Sequence, residues 1–301
     1  MGQNDFIADK WTASEVGFIG KEELSIKIKK ILNTNAVIVQ DEGREKIAIG
    51  NGIAFNKKRN DIVASGKIEK LFVMQENDRL VQVLSRIPEE HFTISEEIIT
   101  YAERYMGTKL NDHIHIVLTD HLSFAIERTN EGIHIHNKLL YEIKILYPRE
   151  FEIGVWAIKH IKKKCRMEMP IDEAGFIALH LHTMKPQGGD LRQTIRQTVI
   201  IRDMVQLIKG YLGVAVEEDK LSYQRLISHL HFTLTRLSQF ELHTMDEEML
   251  VMLEQKFANS FRYARKMARD LLKLHGISLP EQELGYITLH LERLRKGLKT
   301  S

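Results

Sequence analysis

Residues 173–181 read EAGFIALHL and residues 283–291 read ELGYITLHL. One chain that carries the same phrase twice, with histidine in the same slot, has to build the same local structure twice. The echo extends upstream. LTDHLSFAIER (118–128) pairs with LISHLHFTLTR (226–236), so His121 matches His229 at an offset of 108, while His180 matches His290 and Pro170 matches Pro280 at 110. Within each copy the two histidines stand 59 and 61 residues apart. Two copies at this spacing mean a duplicated domain of about 100 residues, because solenoid repeats recur at roughly 20–50 residues.

Apolar residues in both copies recur at three and four, as in Ile98, Tyr101, Ala102 and Tyr105, which predicts helices from Ile87 onward. KPQGGD (185–190) combines Pro, Gly and polar residues and reads as the linker between copies. Residues 25–80 have another texture. SIKIKKIL, AVIVQD, EKIAIG and KIEKLFVM are short, rich in Ile and partly alternating, and NTN, DEGRE and GNG separate them. That pattern predicts an antiparallel meander of about four strands. The expected architecture is multidomain: a small antiparallel all-β domain (25–80) followed by two all-α helical-bundle domains (81–187 and 188–301). Residues 1–24 show no steady period and read as an extension, compatible with disorder and assigned no function.

Charge separates these parts. Residues 25–80 hold 11 Lys and Arg against 7 Asp and Glu, net +4, whereas the whole chain is +2. The positive charge is therefore concentrated in the β unit. A single cysteine, Cys165, excludes a disulfide framework and a Cys-rich zinc module, and suits a reducing cytoplasm. No apolar run approaches the roughly 18 residues of a membrane span, so no stable membrane insertion is expected. IGNGIAF (49–55) is not a dinucleotide fingerprint, since Phe55 stands in the third glycine position.

His180 sits at the margin of an apolar stripe formed by Phe176, Ile177, Leu181 and Met184. A lone histidine there is ordinarily a satisfied core residue, but four histidines kept in register in two drifted copies point to chemistry. HIH and HLH pairs suggest metal ligands, yet residues i and i+2 of a helix face different ways and no HExxH is present. Acid–base catalysis has no nucleophile motif to serve. Phosphoryl acceptance is the third candidate: a neutral imidazole nitrogen is nucleophilic near pH 7, and the product adds roughly −1.5 to −2 charge, enough to switch an interface.

In the β unit, the Asn-Gly of GNG is by itself a turn signal. Its neighbours suggest more. Phe55 adjoins the turn, Asn33, Asn35, Asn51 and Asn56 offer amide donors and acceptors, and Lys57, Lys58 and Arg59 follow. Stacking, amide hydrogen bonds and phosphate contacts together are what reading looped-out RNA bases requires; a solvated basic turn is the plain alternative. A unit this small also suggests that dimerisation buries one face.

KIKKILNTNAVIV, GNGIAFNKKRNDIV, LTDHLSFAIER, DEAGFIALHLH, YQRLISHLHF and ELGYITLHLER, in that order, resemble the BglG/SacY/LicT-type transcriptional antiterminators, in wording closest to the sucrose-type members. The resemblance covers residue 26 to the C-terminus. It implies an RNA-binding domain followed by two regulation domains read by the sugar phosphotransferase system (PTS), in a protein that is not an enzyme and needs no cofactor or metal. It implies RNA contacts from Asn33 and Asn35 in a first turn and from Gly50, Asn51, Gly52 and Phe55 in a second, with Lys30, Lys57 and Lys58 adding charge. His121 and His180 match the phosphorylated pair of the first regulation domain, His229 and His290 that of the second. The implied partners are a structured leader mRNA hairpin, the phosphocarrier HPr, a sugar-specific PTS enzyme II and a second copy of the chain. The sequence departs from the family at Asn51, where some members carry Arg or Lys, at Thr34, where some have a third Asn, and in residues 1–24. A phosphoryl relay within the same system and a DNA-binding activator are the alternatives; the basic β unit speaks against the first, and the lack of a preceding helix-turn-helix against the second.

Overall fold

The structure, a computed structural model, describes residues 26–41, 44–68, 70–73, 86–213, 221–239 and 245–299. The extension at 1–24 lies outside them. The chain divides into two units, residues 1–85 and 86–301.

In the first unit the alternating runs form strands β1 (Ile26–Asn33), β2 (Ala36–Asp41), β3 (Arg44–Ile49), β4 (Ile62–Val63) and β5 (Lys70–Val73). They make one antiparallel sheet in the order β4-β1-β2-β3-β5. The antiparallel sheet expected from about four strands is present, with one strand more. The added strand, β4, is two residues long and too short to show a period, and KIEKLFVM is strand only from Lys70. Ile26, Ile28, Val37, Val39, Ala48, Ile53, Ala54 and Val63 form the core on one face. Each fully buried Val or Ile contributes about 1.5–3 kcal/mol, which a small unit needs.

β1 is not regular. Its register against β2 slips between Ile28 and Lys30 and again between Ile31 and Asn33. Each slip is a bulge, where one extra residue on one strand re-aims the side chains that follow. Consequently Lys29 and Lys30, neighbours in sequence, are both exposed, where strict alternation would bury one of them.

The second unit repeats a five-helix pattern. The first copy contains α1 (Glu89–Met106), α2 (Ile114–Asn130), α3 (Leu140–Leu146), α4 (Pro148–Cys165) and α5 (Ile171–Thr183). The second contains α6 (Leu191–Leu212), α7 (Leu221–Gln239), α8 (Glu247–Lys256), α9 (Ala258–His275) and α10 (Glu281–Lys299). Local chemistry starts these helices where the sequence signals it. Pro148 occupies the first turn of α4, and the Asp190 and Asp246 side chains cap α6 and α8 by accepting from the backbone of Gln193 and Glu248, each at 3.0 Å. α4 and α5 pack closely because Gly154 has no side chain: a Cβ there would meet the Ala174 carbonyl oxygen at 2.2 Å.

Ile98, Leu118, Leu122, Ile153, Ile161, Ile177 and Leu181 lie in the core of the first copy. Ile201, Met204, Leu226, Leu230, Phe261, Met267, Ile287 and Leu291 lie in that of the second. The two cores are joined: Ile145 and Leu146 of α3 pack against the second. Among the described residues no helix is long and apolar enough to cross a membrane.

Candidate functional site

α2 and α5 bring His121 and His180 together, with ring centroids 4.9 Å apart. α7 and α10 do the same for His229 and His290, at 4.8 Å. Both pairs are framed alike. His121 Nε2 lies 3.4 Å from Glu173 Oε2, and Arg128 donates to the other oxygen of that carboxylate. His229 Nε2 lies 3.5 Å from Glu283 Oε2, and Arg236 donates to Glu283 Oε1 at 3.0 Å. At these distances the histidine–glutamate approaches are longer than well-formed hydrogen bonds. Among the described residues no group of three or more His, Cys, Asp or Glu side chains could hold a metal ion.

The arrangement sets protonation. Burial, then the charge of His121, pushes His180 down to about 3. Burial, then the charges of His229, Arg293 and Arg225, pushes His290 down to about 4. Both rings are therefore neutral at physiological pH, with one nitrogen lone pair available for nucleophilic attack. The carboxylates move the same way for another reason. Burial raises Glu173 and Glu283, but contacts with His121 and Arg128 in one, and with His229, Thr233 and Arg236 in the other, outweigh it. Glu283 ends at about 2. Each site thus holds a permanent anion, an arginine and a neutral imidazole in contact with a second one.

Glu173, Glu283, Arg128 and Arg236 were not singled out in the sequence. The signal was present: the glutamates open the repeated phrase, and the arginines close the other paired motif at the same 108-residue offset. Glu173 matches Glu283 and Arg128 matches Arg236 in the same register as the histidines.

A second cluster lies where the two copies meet. His182 and His231 are the second histidines of the two helical HLH motifs. The Tyr147 ring packs 4.0 Å from that of His182 and meets His231 edge-on at 6.5 Å. Glu150 Oε1 accepts from Lys185 at 2.5 Å and lies 3.2 Å from His182 Nδ1. Burial raises Glu150, yet the bonds with His182 and Lys185 prevail and hold it at about 2. Burial, then the charge of His182, lowers His231. The i, i+2 spacing argues correctly that these histidines leave the face of His180 and His229. It does not reveal that they leave it for the neighbouring copy.

In the sheet unit the turn at 33–36 and the loop from Gly50 are bonded together. Asn33 Oδ1 accepts from the Asn35 backbone at 2.8 Å, and Asn35 Oδ1 from the Gly52 backbone at 2.6 Å. The Ala54 N–H donates to the Thr34 carbonyl at 2.9 Å. Asn35 is buried and acts as a strut between the loops. Gly52 has φ +61°, a conformation that favours glycine. The two loops thereby present Phe55, 64% exposed, beside exposed Asn51. Lys30 and Lys58 are exposed and Lys57 half-buried; Lys30 lies on β1, and the other two lie in the loop that follows Phe55.

Comparison with known proteins gives two family matches: "CAT RNA binding domain" over residues 26–80, and "PRD domain" over residues 96–184 and again over 202–294. The transcription antiterminator LicT of Bacillus subtilis is 35% identical over 276 residues, 90% of this chain and 99% of its own. The beta-glucoside operon antiterminator of Dickeya chrysanthemi is 35% identical over 279 residues, 91% of this chain and 98% of its own. Among solved structures, that of GlcT CAT-PRDI is 35% identical, covers 54% of this chain and 99% of its own, and superposes with a TM-score of 0.48.

Proposed function

The chain belongs to the sugar-operon transcription antiterminators that join a CAT RNA binding domain to two PRD domains, and we propose that it acts as a cytoplasmic homodimer controlled by phosphorylation on His121, His180, His229 and His290. In this reading residues 25–80 bind a hairpin in nascent leader mRNA and prevent the overlapping terminator, while 81–187 and 188–301 receive the two PTS inputs. An enzyme II of the PTS phosphorylates the first pair when its sugar is absent and lowers activity. HPr phosphorylates the second pair and raises it.

The observation that carries the reading is the recurrence of one constellation. Two histidine rings under 5 Å apart, a carboxylate on one ring's Nε2 and an arginine on that carboxylate occur in both copies. With a proton on Nε2 toward the glutamate, His121 and His229 offer the Nδ1 lone pair. In His180 the Nδ1 is buried with no hydrogen-bond partner among the described residues, which favours Nε2 as its acceptor nitrogen. Transfer breaks the P–N bond of a phosphohistidine donor and forms one here. The displaced donor nitrogen keeps the electron pair, and no proton leaves the accepting ring.

The junction supplies a route for the signal. A phosphoryl group on His180 or His229 places roughly −1.5 to −2 charge two residues from His182 or His231, at the seam where Tyr147 and Glu150 pack. Added negative charge disfavours the Glu150 carboxylate and attracts both junction histidines, which shifts the packing of one copy on the other. The test is sedimentation and RNA binding of the full chain before and after treatment with phospho-HPr. The reading expects a change in both; an unchanged dimer with unchanged affinity contradicts it.

A further inference from the structure

The bulge in β1 has a counterpart in the loop beside it. The Asn60 N–H donates to the Ile28 carbonyl at 2.7 Å, and the Ile28 N–H to the Asp61 carbonyl at 2.9 Å. These two bonds clamp the loop onto β1 immediately before the bulge and hold Arg59 there. Asn60 takes a left-handed conformation, φ +75°, to make the turn. The result is an open groove of about 530 Å³ lined by Lys29, Lys30 and Arg59, with Ile31, Ile38 and Glu45 completing it.

Its chemistry is specific. Three cations face one carboxylate, so the groove is net +2. Lys29 is paired with Glu45. Lys30 and Arg59 are exposed and have no carboxylate partner among the described residues. An apolar floor beneath the exposed cations Lys30 and Arg59 does not suit a free metal or a cationic ligand. It suits a group that joins an anionic edge to a face of C–H bonds, as a ribose–phosphate does. The groove also continues a surface already described. Lys30 lies three residues before Asn33 on β1, and Arg59 follows Phe55, Lys57 and Lys58 in one loop.

We infer that this groove seats a sugar–phosphate stretch of the bound RNA, with Arg59 and Lys30 on the phosphates. The inference rests on the RNA-binding reading and adds Arg59 and Lys29 to it. Phosphate contacts fix register and add affinity without sequence information, whereas the loops around Phe55 meet bases. Glu45 tunes the site by occupying Lys29.

The test uses the full chain and, as probe, the transcribed leader that precedes the nearest sugar-uptake gene, with affinity measured across a salt series. Arg59→Gln is expected to weaken binding about tenfold near 0.1 M salt and to reduce the slope of log affinity against log salt by roughly 0.7–0.9, the signature of one lost phosphate contact. Glu45→Gln frees Lys29 and is expected to tighten binding several-fold; it should not unfold the sheet, because an exposed ion pair adds little stability. Arg59→Lys should retain most of the slope. If Phe55→Ala weakens binding while Arg59→Gln and Glu45→Gln leave affinity and slope unchanged, the groove assignment is overturned and the RNA reading stands. If the unaltered chain does not bind the leader, both are overturned.

Discussion

His121 and His180 stand 59 residues apart in sequence and 4.9 Å apart between ring centroids, and His229 and His290 reproduce the relationship at 4.8 Å. Neither pair is held by the histidines alone. In each copy a glutamate from the start of the last helix ties the first histidine to an arginine seven residues further along the same helix.

Removing that glutamate charge tests the tie. Arg128 is buried and Glu173 almost wholly so. Glu173→Gln therefore leaves a buried guanidinium without its counter-charge, and chemical denaturation should show a loss of about 3–5 kcal/mol. Glu283→Gln should cost less, because the Arg236 side chain is 20% exposed and water can compensate it. Equal losses in the two copies would mean that burial does not set the cost.

The depressed histidines make stability depend on pH. Below about pH 6.5 the unfolded chain binds a proton at His180 that the folded chain refuses until about pH 3, and at His290 one refused until about pH 4. Across those windows the unfolded state holds more protons, so stability falls as pH falls, by at most about 1.4 kcal/mol per pH unit for each group. Glu283 has the same sign lower down: its folded pKa is about 2 against 4.5, so its contribution is lost as pH falls from 4.5 toward 2. Thermal melts of the full chain should give a lower Tm at pH 5 than at pH 7.5, and the double variant His180→Gln, His290→Gln should show a flatter profile. An unchanged slope in that variant would place the pH dependence elsewhere.

Phe55 distinguishes a core aromatic from a ligand-facing one. Since it is 64% exposed, Phe55→Ala should leave the folding transition in place. Leader RNA binding should weaken by about 1–3 kcal/mol if the ring stacks on a base. Loss of the sheet in the variant would assign Phe55 to the core.

Tyr147 tests the seam between the copies. It is 3% exposed, and its ring packs against His182 and meets His231 of the second copy edge-on. Tyr147→Ala should cost about 3–5 kcal/mol, and Tyr147→Phe, which keeps the ring, about 0.5–1.5 kcal/mol. The two values, read from denaturant unfolding, separate the packing of the ring at the seam from the contribution of its hydroxyl.

Much of this architecture was legible. The offsets of 108 and 110 announced two copies, helical periodicity their class, and register their histidine pairs, because duplicated sequence records which positions both copies need. The apolar runs in 26–73 announced the strands. What was not legible depends on contacts between elements. The two-residue β4 carries no period. The bulges at Lys29 and Leu32 show in KIKKIL only as imperfect alternation. The meeting of Tyr147, His182 and His231 follows from how one bundle docks on the other, which no local pattern encodes. Asn35 shows the same limit: the sequence offered it as an RNA contact, and the fold also uses it to join two loops.

The most direct measurement of the central claim is 32P transfer from phospho-HPr to the full chain and to three variants, with His→Ala at 121 and 180, at 229 and 290, and at all four. The account predicts label on the unaltered chain, retained in the first variant, strongly reduced in the second and absent in the last. Undiminished labelling of the four-histidine variant would contradict it.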